Sequence, residues 1–167
     1  MVAVYFSWLF EVNYWANIIR SASKKDSRGF IIMQYWKIVA GHREKDPDEV
    51  KSVILGDWLR KNYISIGWEE DTPQGKAFRE EMQIADGVVV VSDGFVWALG
   101  IIESEAQTVT LDKGSLLYPC QRKVTWLKVT KMAYKAFPKR LYNKLKTPKA
   151  LVRLHAEDWE ILKACLP

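Results

Sequence analysis

Nucleophilic, metal-assisted and acid–base chemistry each need particular residue types at particular spacings, and this chain supplies few of them. Cys120 and Cys165 stand far apart, and His42 and His155 are the only histidines, so no C-x-x-C pair and no zinc-ligand set forms along the sequence. There is no G-x-S-x-G elbow, no Walker A lysine loop, no G-x-G-x-x-G after a strand and no H-E-x-x-H. Cys120 and His42 are formally a thiol–imidazole pair, but no feature of the sequence joins them. Glu69-Glu70-Asp71 could hold a magnesium ion, yet it reads better as a solvated turn ahead of a helix N-terminus. The expectation is a chain without catalytic residues, metal or cofactor.

Recognition chemistry is easier to assemble. A nucleobase taken out of its stack needs aromatic faces, a few fixed polar groups for its edge, and positive charge for the flanking phosphates. Trp68 follows Gly67 at an expected strand end, where a ring can project beyond a sheet, and it serves equally well as a lid on the core. Gly41-His42 ends the preceding strand in the same manner and offers a base-edge contact, with Arg43 beside it, although a lone histidine is more often a surface residue. Tyr118 sits in an apolar loop just before Arg122-Lys123, and Trp97 lies in a hairpin strand whose inward face the pattern leaves open. Trp68, Tyr118 and Trp97 are therefore the candidate ring-stacking residues; Arg43, Arg122, Lys123, Lys131 and Lys135 are the candidate phosphate contacts. Trp36, Trp58, Trp126 and Trp159 fall on expected core faces.

The charge distribution favours a polyanion. Across 167 residues the formal charge is only +5, but from Lys113 to Ala156 there is no Asp or Glu while lysines and arginines recur throughout. Clustered cations gain free energy by releasing counterions from phosphates; a solvated helix face is the competing explanation. With 49% hydrophobic and 27% charged residues the chain can build a core, and its length fits one domain. Residues 2–10 are apolar, but they lack a basic leader and a cleavage pattern and are too short to span a bilayer, so the reading is a cytoplasmic protein with no membrane segment.

These residues must be held by elements the pattern predicts in order. Residues 3–12 read as a strand, and Asn13 opens a helix through Tyr14, Trp15, Ile18 and Ile19. Together with a polar loop they form an N-terminal extension, 1–33, packed on a domain of residues 34–167. Residues 30–39 read as a strand ending at Gly41. Asp46-Pro47-Asp48-Glu49 starts a helix that buries Val50, Val53, Ile54 and Trp58 and ends near Asn62, and residues 63–67 return as a strand. Thr72-Pro73 starts a second helix with Ala77, Phe78 and Met82 inward. Val88–Ser92 and Phe95–Glu103 form a hairpin about Asp93-Gly94, and residues 105–111 alternate as a further strand. Lys113–Gln121 reads as a loop and Lys123–Thr130 as a strand. Pro138–Lys146 is a basic helix, Ala150–Leu154 a short strand, and Ala156–Leu166 a last helix burying Trp159, Ile161, Leu162 and Cys165. Hairpins with inserted helices imply one mixed α/β domain built on a small curved sheet or barrel.

Tyr35–Gly41, Ile64–Trp68, Asp86–Val90, Leu99–Ile102 and the segment from Tyr118 through Arg122-Lys123-Val124-Thr125-Trp126 resemble, in this order, the strand motifs of EVE-type domains. These belong to the superfamily that contains PUA and YTH domains, and the similarity runs from about Tyr35 to the C-terminus. It implies a compact, curved mixed β-barrel flanked by helices that reads modified nucleic acid without chemistry of its own. YTH relatives hold N6-methyladenine in an aromatic cage. EVE-like domains also occur at the N-termini of McrB-type methylation-dependent restriction GTPases, so the resemblance implies methylated DNA as ligand, with the rest of such a GTPase and its nuclease subunit as partners. By position Trp68 matches the first cage tryptophan and His42 the polar residue after the first strand. The second cage tryptophan of the YTH pattern has no counterpart, which leaves Tyr118 or Trp97. RNA is the alternative ligand, and a protein-interaction surface around Tyr118 and the basic helix the alternative class.

Overall fold

The computed structural model describes residues 33–41, 48–113 and 117–167, with 48–52 as backbone only. The expected strand and helix of residues 1–32, and the Asp46-Pro47 helix start, lie outside the described residues. In order the elements are β1 (Tyr35–Val39), α1 (Asp48–Lys61), β2 (Tyr63–Ile66), α2 (Pro73–Lys76) running into a π-turn (Ala77–Glu81), β3 (Gly87–Ser92), β4 (Phe95–Ile102), β5 (Gln107–Thr108), β6 (Cys120–Ala133), a 3₁₀ turn (Tyr134–Ala136), α3 (Lys139–Lys146), β7 (Leu151–Leu154) and α4 (Ala156–Cys165). The strands form one curled sheet in the order β2-β6-β4-β3-β1-β7, with β5 added to β6. Every pairing is antiparallel except β1 with β3. This is the mixed α/β half-barrel with flanking helices that the pattern implied.

Both faces of the sheet are covered, which explains the uninterrupted valines of β3. Val88 and Val90 point into a first core with Trp36, Ile38, Ile54, Trp58, Ile64, Phe78 and Met82. Val89 and Val91 point into a second core with Leu99, Leu141, Leu145, Trp159 and Leu162. A strand apolar on both sides cannot alternate with polar residues, so its pattern reads as a run. The hairpin after it turns on Asp93 and Gly94, both with positive φ (48° and 83°), as the two-residue turn requires.

Helix α1 is fastened to the strand it precedes. Trp58 Nε1 donates to Ser65 Oγ at 2.9 Å, and the Tyr63 hydroxyl donates to Asp57 at 2.5 Å. Burial works against the Asp57 carboxylate, but hydrogen bonds from Tyr63, Lys61 and Arg60 hold its pKa below the usual range. Asn62, with φ of 57°, closes the helix in the left-handed region.

Several expectations are corrected. Val53 faces solvent at 50% exposure, because α1 presents Ile54, Leu55 and Trp58 to the core instead. Cys165 is exposed and Leu166 takes the buried place. The strand expected over 105–111 shortens to Gln107–Thr108, and β6 is longer than expected because it crosses from one half of the sheet to the other. Its first residues pair with β2 and β5, while Val124–Ala133 pair with β4 through two register shifts that bend it.

A buried aspartate organises the turn before β3, and a buried lysine ties β1 to the end of α3. Asp86 accepts from Gln34 N, Trp36 Nε1 and Gln83 N, each at 2.9 Å, and burial nonetheless raises its pKa. Lys37 is a second surprise, a lysine in mid-strand with no exposed surface, whose Nζ donates to Thr147 O at 2.6 Å. Burial lowers its pKa from 10.5 to about 8. Between those values the unfolded chain binds more protons than the folded one, so this residue's contribution to stability rises with pH across that window. Wild type is therefore expected to gain stability relative to Lys37→Met between about pH 7 and about pH 9.5 in urea denaturation; parallel pH responses in the two proteins would exclude the effect.

Candidate functional site

The β2–β6 ladder ends at the pair Ile66–Cys120. Gly67-Trp68 follows the last paired residue of β2, and Tyr118-Pro119 precedes the first of β6. The Tyr118 ring lies against the Gly67 backbone: a Cβ at residue 67 would stand 2.3 and 2.4 Å from two of its carbons. Only glycine permits that approach. Trp68, Leu117 and Tyr118 are half-buried and pack on the first core. Burial pushes the Tyr118 phenol up to about 12, which keeps it neutral and able to donate a hydrogen bond.

The chain after Trp68 is held by two side chains. Arg79, on the π-turn, donates to Trp68 O at 3.2 Å and pairs with Glu70 at 3.3 Å. Thr72 caps α2 through its hydroxyl, which accepts from Gly75 N at 3.1 Å and donates to Glu69 O at 2.7 Å. Glu69-Glu70-Asp71 is thus the turn ahead of a helix that the sequence suggested, and no group of three or more metal-ligating side chains forms among the described residues. Cys120 is buried beneath this end of the sheet, and burial raises its thiol pKa, the opposite of what a nucleophile needs.

Trp97 is placed differently. It stands near the start of β4, between the β6 pairings Val96–Met132 and Ala98–Val129, at the far end of β6 from Tyr118. Its Nε1 donates to Ser92 O at 3.2 Å, and the Lys131 ammonium lies 4.8 Å from its ring centroid and 4.7 Å from that of Phe95. Ser92 follows Val91, whose carbonyl accepts from Ala40 N at 2.9 Å, so Trp97 neighbours the strand end that carries Gly41. Trp97 and Trp68 pack on the same core. His42 and Arg43 lie outside the described residues.

The cations divide into two groups. Arg122, expected at a phosphate, is 1% exposed. Its guanidinium donates to Phe78 O at 2.8 Å, Ser104 O at 2.9 Å and Arg79 O at 3.0 Å, and lies 5.5 Å from the Phe78 ring centroid. It caps the carbonyls that the π-turn leaves open and has no surface to offer a ligand, which corrects that assignment. Lys128 likewise caps α4 through Lys163 O and Leu166 O, Arg140 and Lys144 pair with the buried Asp158 at the start of α4, and Arg153 pairs with Glu81. Lys123, Lys131 and Lys135 are exposed and form no ion pair among the described residues. The acid-free stretch from Lys113 to Ala156 therefore spends several of its cations on internal partners.

No family model and no curated protein matches the chain. Its fold is nevertheless that of YTH domains. The YTH domain of Zygosaccharomyces rouxii MRB1, solved with N6-methyladenosine RNA, superposes with a TM-score of 0.54 at 14% identity, covering 83% of this chain and 92% of that one. The Pho92 YTH domain in complex with m6A gives 0.53 at 10% identity over 87% and 91%, and the mmi1 YTH domain–RNA complex 0.53 at 9% over 86% and 88%. Among the described residues no helix is long and apolar enough to cross a membrane.

Sequence reasoning missed Arg79 and the structural use of Arg122; the Gly67-Trp68 dipeptide was visible, but not the ring that requires the glycine. Two outcomes follow from these contacts. Arg122→Ala leaves three carbonyls without their donor and is expected to cost about 3 kcal/mol or more of stability in urea denaturation, whereas a phosphate contact would leave stability unchanged. Gly67→Ala must displace the Tyr118 ring, which near-ultraviolet circular dichroism or the ring's NMR shifts will register; unchanged tyrosine signals would contradict the contact.

Proposed function

We propose that this chain is a non-enzymatic reader of a modified nucleobase, with N6-methyladenine as its ligand. The observation that carries the reading is the pair of half-buried rings at one strand end, Trp68 and Tyr118, with Tyr118 seated on Gly67. A base lifted from its stack enters between them, and its edge meets the end of β1 at Gly41 and His42. Arg43, Lys123, Lys131 and Lys135 neutralise the adjoining phosphates. Stacking supplies roughly 1–3 kcal/mol per base, and burying the methyl adds about 0.8 kcal/mol, enough for a several-fold preference over the unmodified base. Trp97 belongs to the support around Gly41 in this arrangement.

The resemblance to EVE-type domains favours methylated DNA, and a role as the specificity domain of a restriction GTPase acting with a nuclease subunit. The shared fold with YTH domains solved with N6-methyladenosine RNA favours RNA as the second reading. Competition between matched DNA and RNA oligomers decides, because contacts to the 2′-hydroxyl favour RNA. Trp68→Ala is expected to remove the preference for methylated over unmodified strands while a salt-sensitive residual affinity remains. A discrimination ratio equal to that of wild type in a binding titration would overturn the cage.

A further inference from the structure

A second concave site lies on the other face of the sheet. It is a cleft of about 510 Å³ between the β3–β4 turn, the end of β6 and α3, lined by Val39, Tyr134, Lys135, Tyr142, Lys146 and Thr147 among others. The volume falls in the range that takes small organic ligands. Its walls are largely apolar, no carboxylate of the described residues lines it, and Lys135 and Lys146 stand at it. Lys146 reaches over the Tyr142 ring, 5.7 Å from the centroid. The nearby acid, Asp93, accepts from Ser92 Oγ at 2.9 Å. Burial, and then the Asp93 charge, raise the Tyr134 phenol above its ordinary value, so it remains a donor.

An apolar slot with two tyrosines and two ammonium groups suits one chemistry, a flat ring carrying a phosphate. An acidic peptide would use the lysines and leave the rings idle. We propose that this cleft is a second nucleotide subsite, holding a nucleotide that flanks the modified base in the same strand. The connection runs along β1. Val39 lines the cleft, and Gly41, two residues on, stands where the reading above puts the edge of the base, so the placement of the strand rests on that reading. The base in the cleft stacks on Tyr142, its phosphate meets Lys135 and Lys146, and the Tyr134 hydroxyl serves its polar edge. The β3–β4 turn at Gly94, whose carbonyl accepts from Tyr134 N at 2.9 Å, forms the lip the strand crosses.

The test measures affinities by fluorescence anisotropy for single strands carrying one N6-methyladenine, either trimmed to the modified base and its immediate neighbours or extended by several nucleotides on either side. Tyr142→Ala is expected to weaken the extended strand about 10-fold or more, to leave the trimmed strand unchanged, and to preserve the ratio of methylated to unmodified affinity. Tyr142→Phe, which keeps the ring, should bind as wild type. Lys146→Ala, on an exposed helix position, should lower the slope of log affinity against log salt by about 0.7 for the extended strand only. Equal losses on trimmed and extended strands, or none on the extended one, overturn the subsite. So does adenosine monophosphate that shifts the Tyr142 ring signals without being displaced by the extended strand, because the cleft would then serve a free nucleotide. Unmodified extended strands run alongside keep the two readings apart: a length-dependent loss in Tyr142→Ala without any methyl preference in wild type supports the cleft and removes the cage.

Discussion

Two buried charges carry the geometry of this molecule. Arg122 closes the open carbonyls of the π-turn, and Asp86 closes the amide and indole donors that meet it from β1 and from the turn before β3. Neither charge could remain in a protein interior without such partners, since an unpaired buried ion costs several kcal/mol. The π-turn in turn presents Arg79 to the backbone of Trp68. The position of the chain leaving β2 thus depends on an arginine in β6 and an aspartate just before β3, both of them buried.

With helices on one side and helices on the other, the middle of the sheet is covered, whereas β6 keeps Leu127 and Val129 in solvent. Further openings lie at the rims, where strands end and loops begin. The rings at the end of β2 and the start of β6 occupy one such rim, and the cleft beside α3 and the β3–β4 turn occupies another. Lys123, Lys131 and Lys135 are exposed, while the cations turned inward serve α4 and the π-turn.

Much of the fold was legible in the sequence because local signals agreed with the tertiary result. Asp93-Gly94 turns the hairpin, Thr72-Pro73 starts a helix, and the β3 valines form a strand covered on both sides. Burial of charge was not legible. Arg122 and Lys37 look like surface cations along the chain, and only the carbonyls that three-dimensional packing leaves open beside them explain their places. Of the site, Gly67-Trp68 was readable as a strand end that frees a ring. The seat of Tyr118 on Gly67 was not, since some fifty residues separate two positions that meet only beyond the paired ends of β2 and β6. The place of Trp97 was not legible for the same reason: hydropathy in β4 names a strand but not which end of β6 it meets.

The register of β6 is held twice over, by β2 at its first residues and by β4 from Val124 onward. Of the described residues that lead into Tyr118, Gln107 and Thr108 join that framework through the short β5 pairing, and Val109 N donates to Pro119 O at 2.9 Å. Insertions, deletions and substitutions there can remodel one wall of the rim while every other strand keeps its partner. The fold therefore separates what must be inherited intact from what can drift. The Trp68 side is bound to the barrel through the π-turn and its buried arginine, whereas the opposing side hangs on a surface loop. A lineage carrying this domain can alter the surface beside Tyr118 by editing that stretch alone, so divergence there should outpace divergence in architecture.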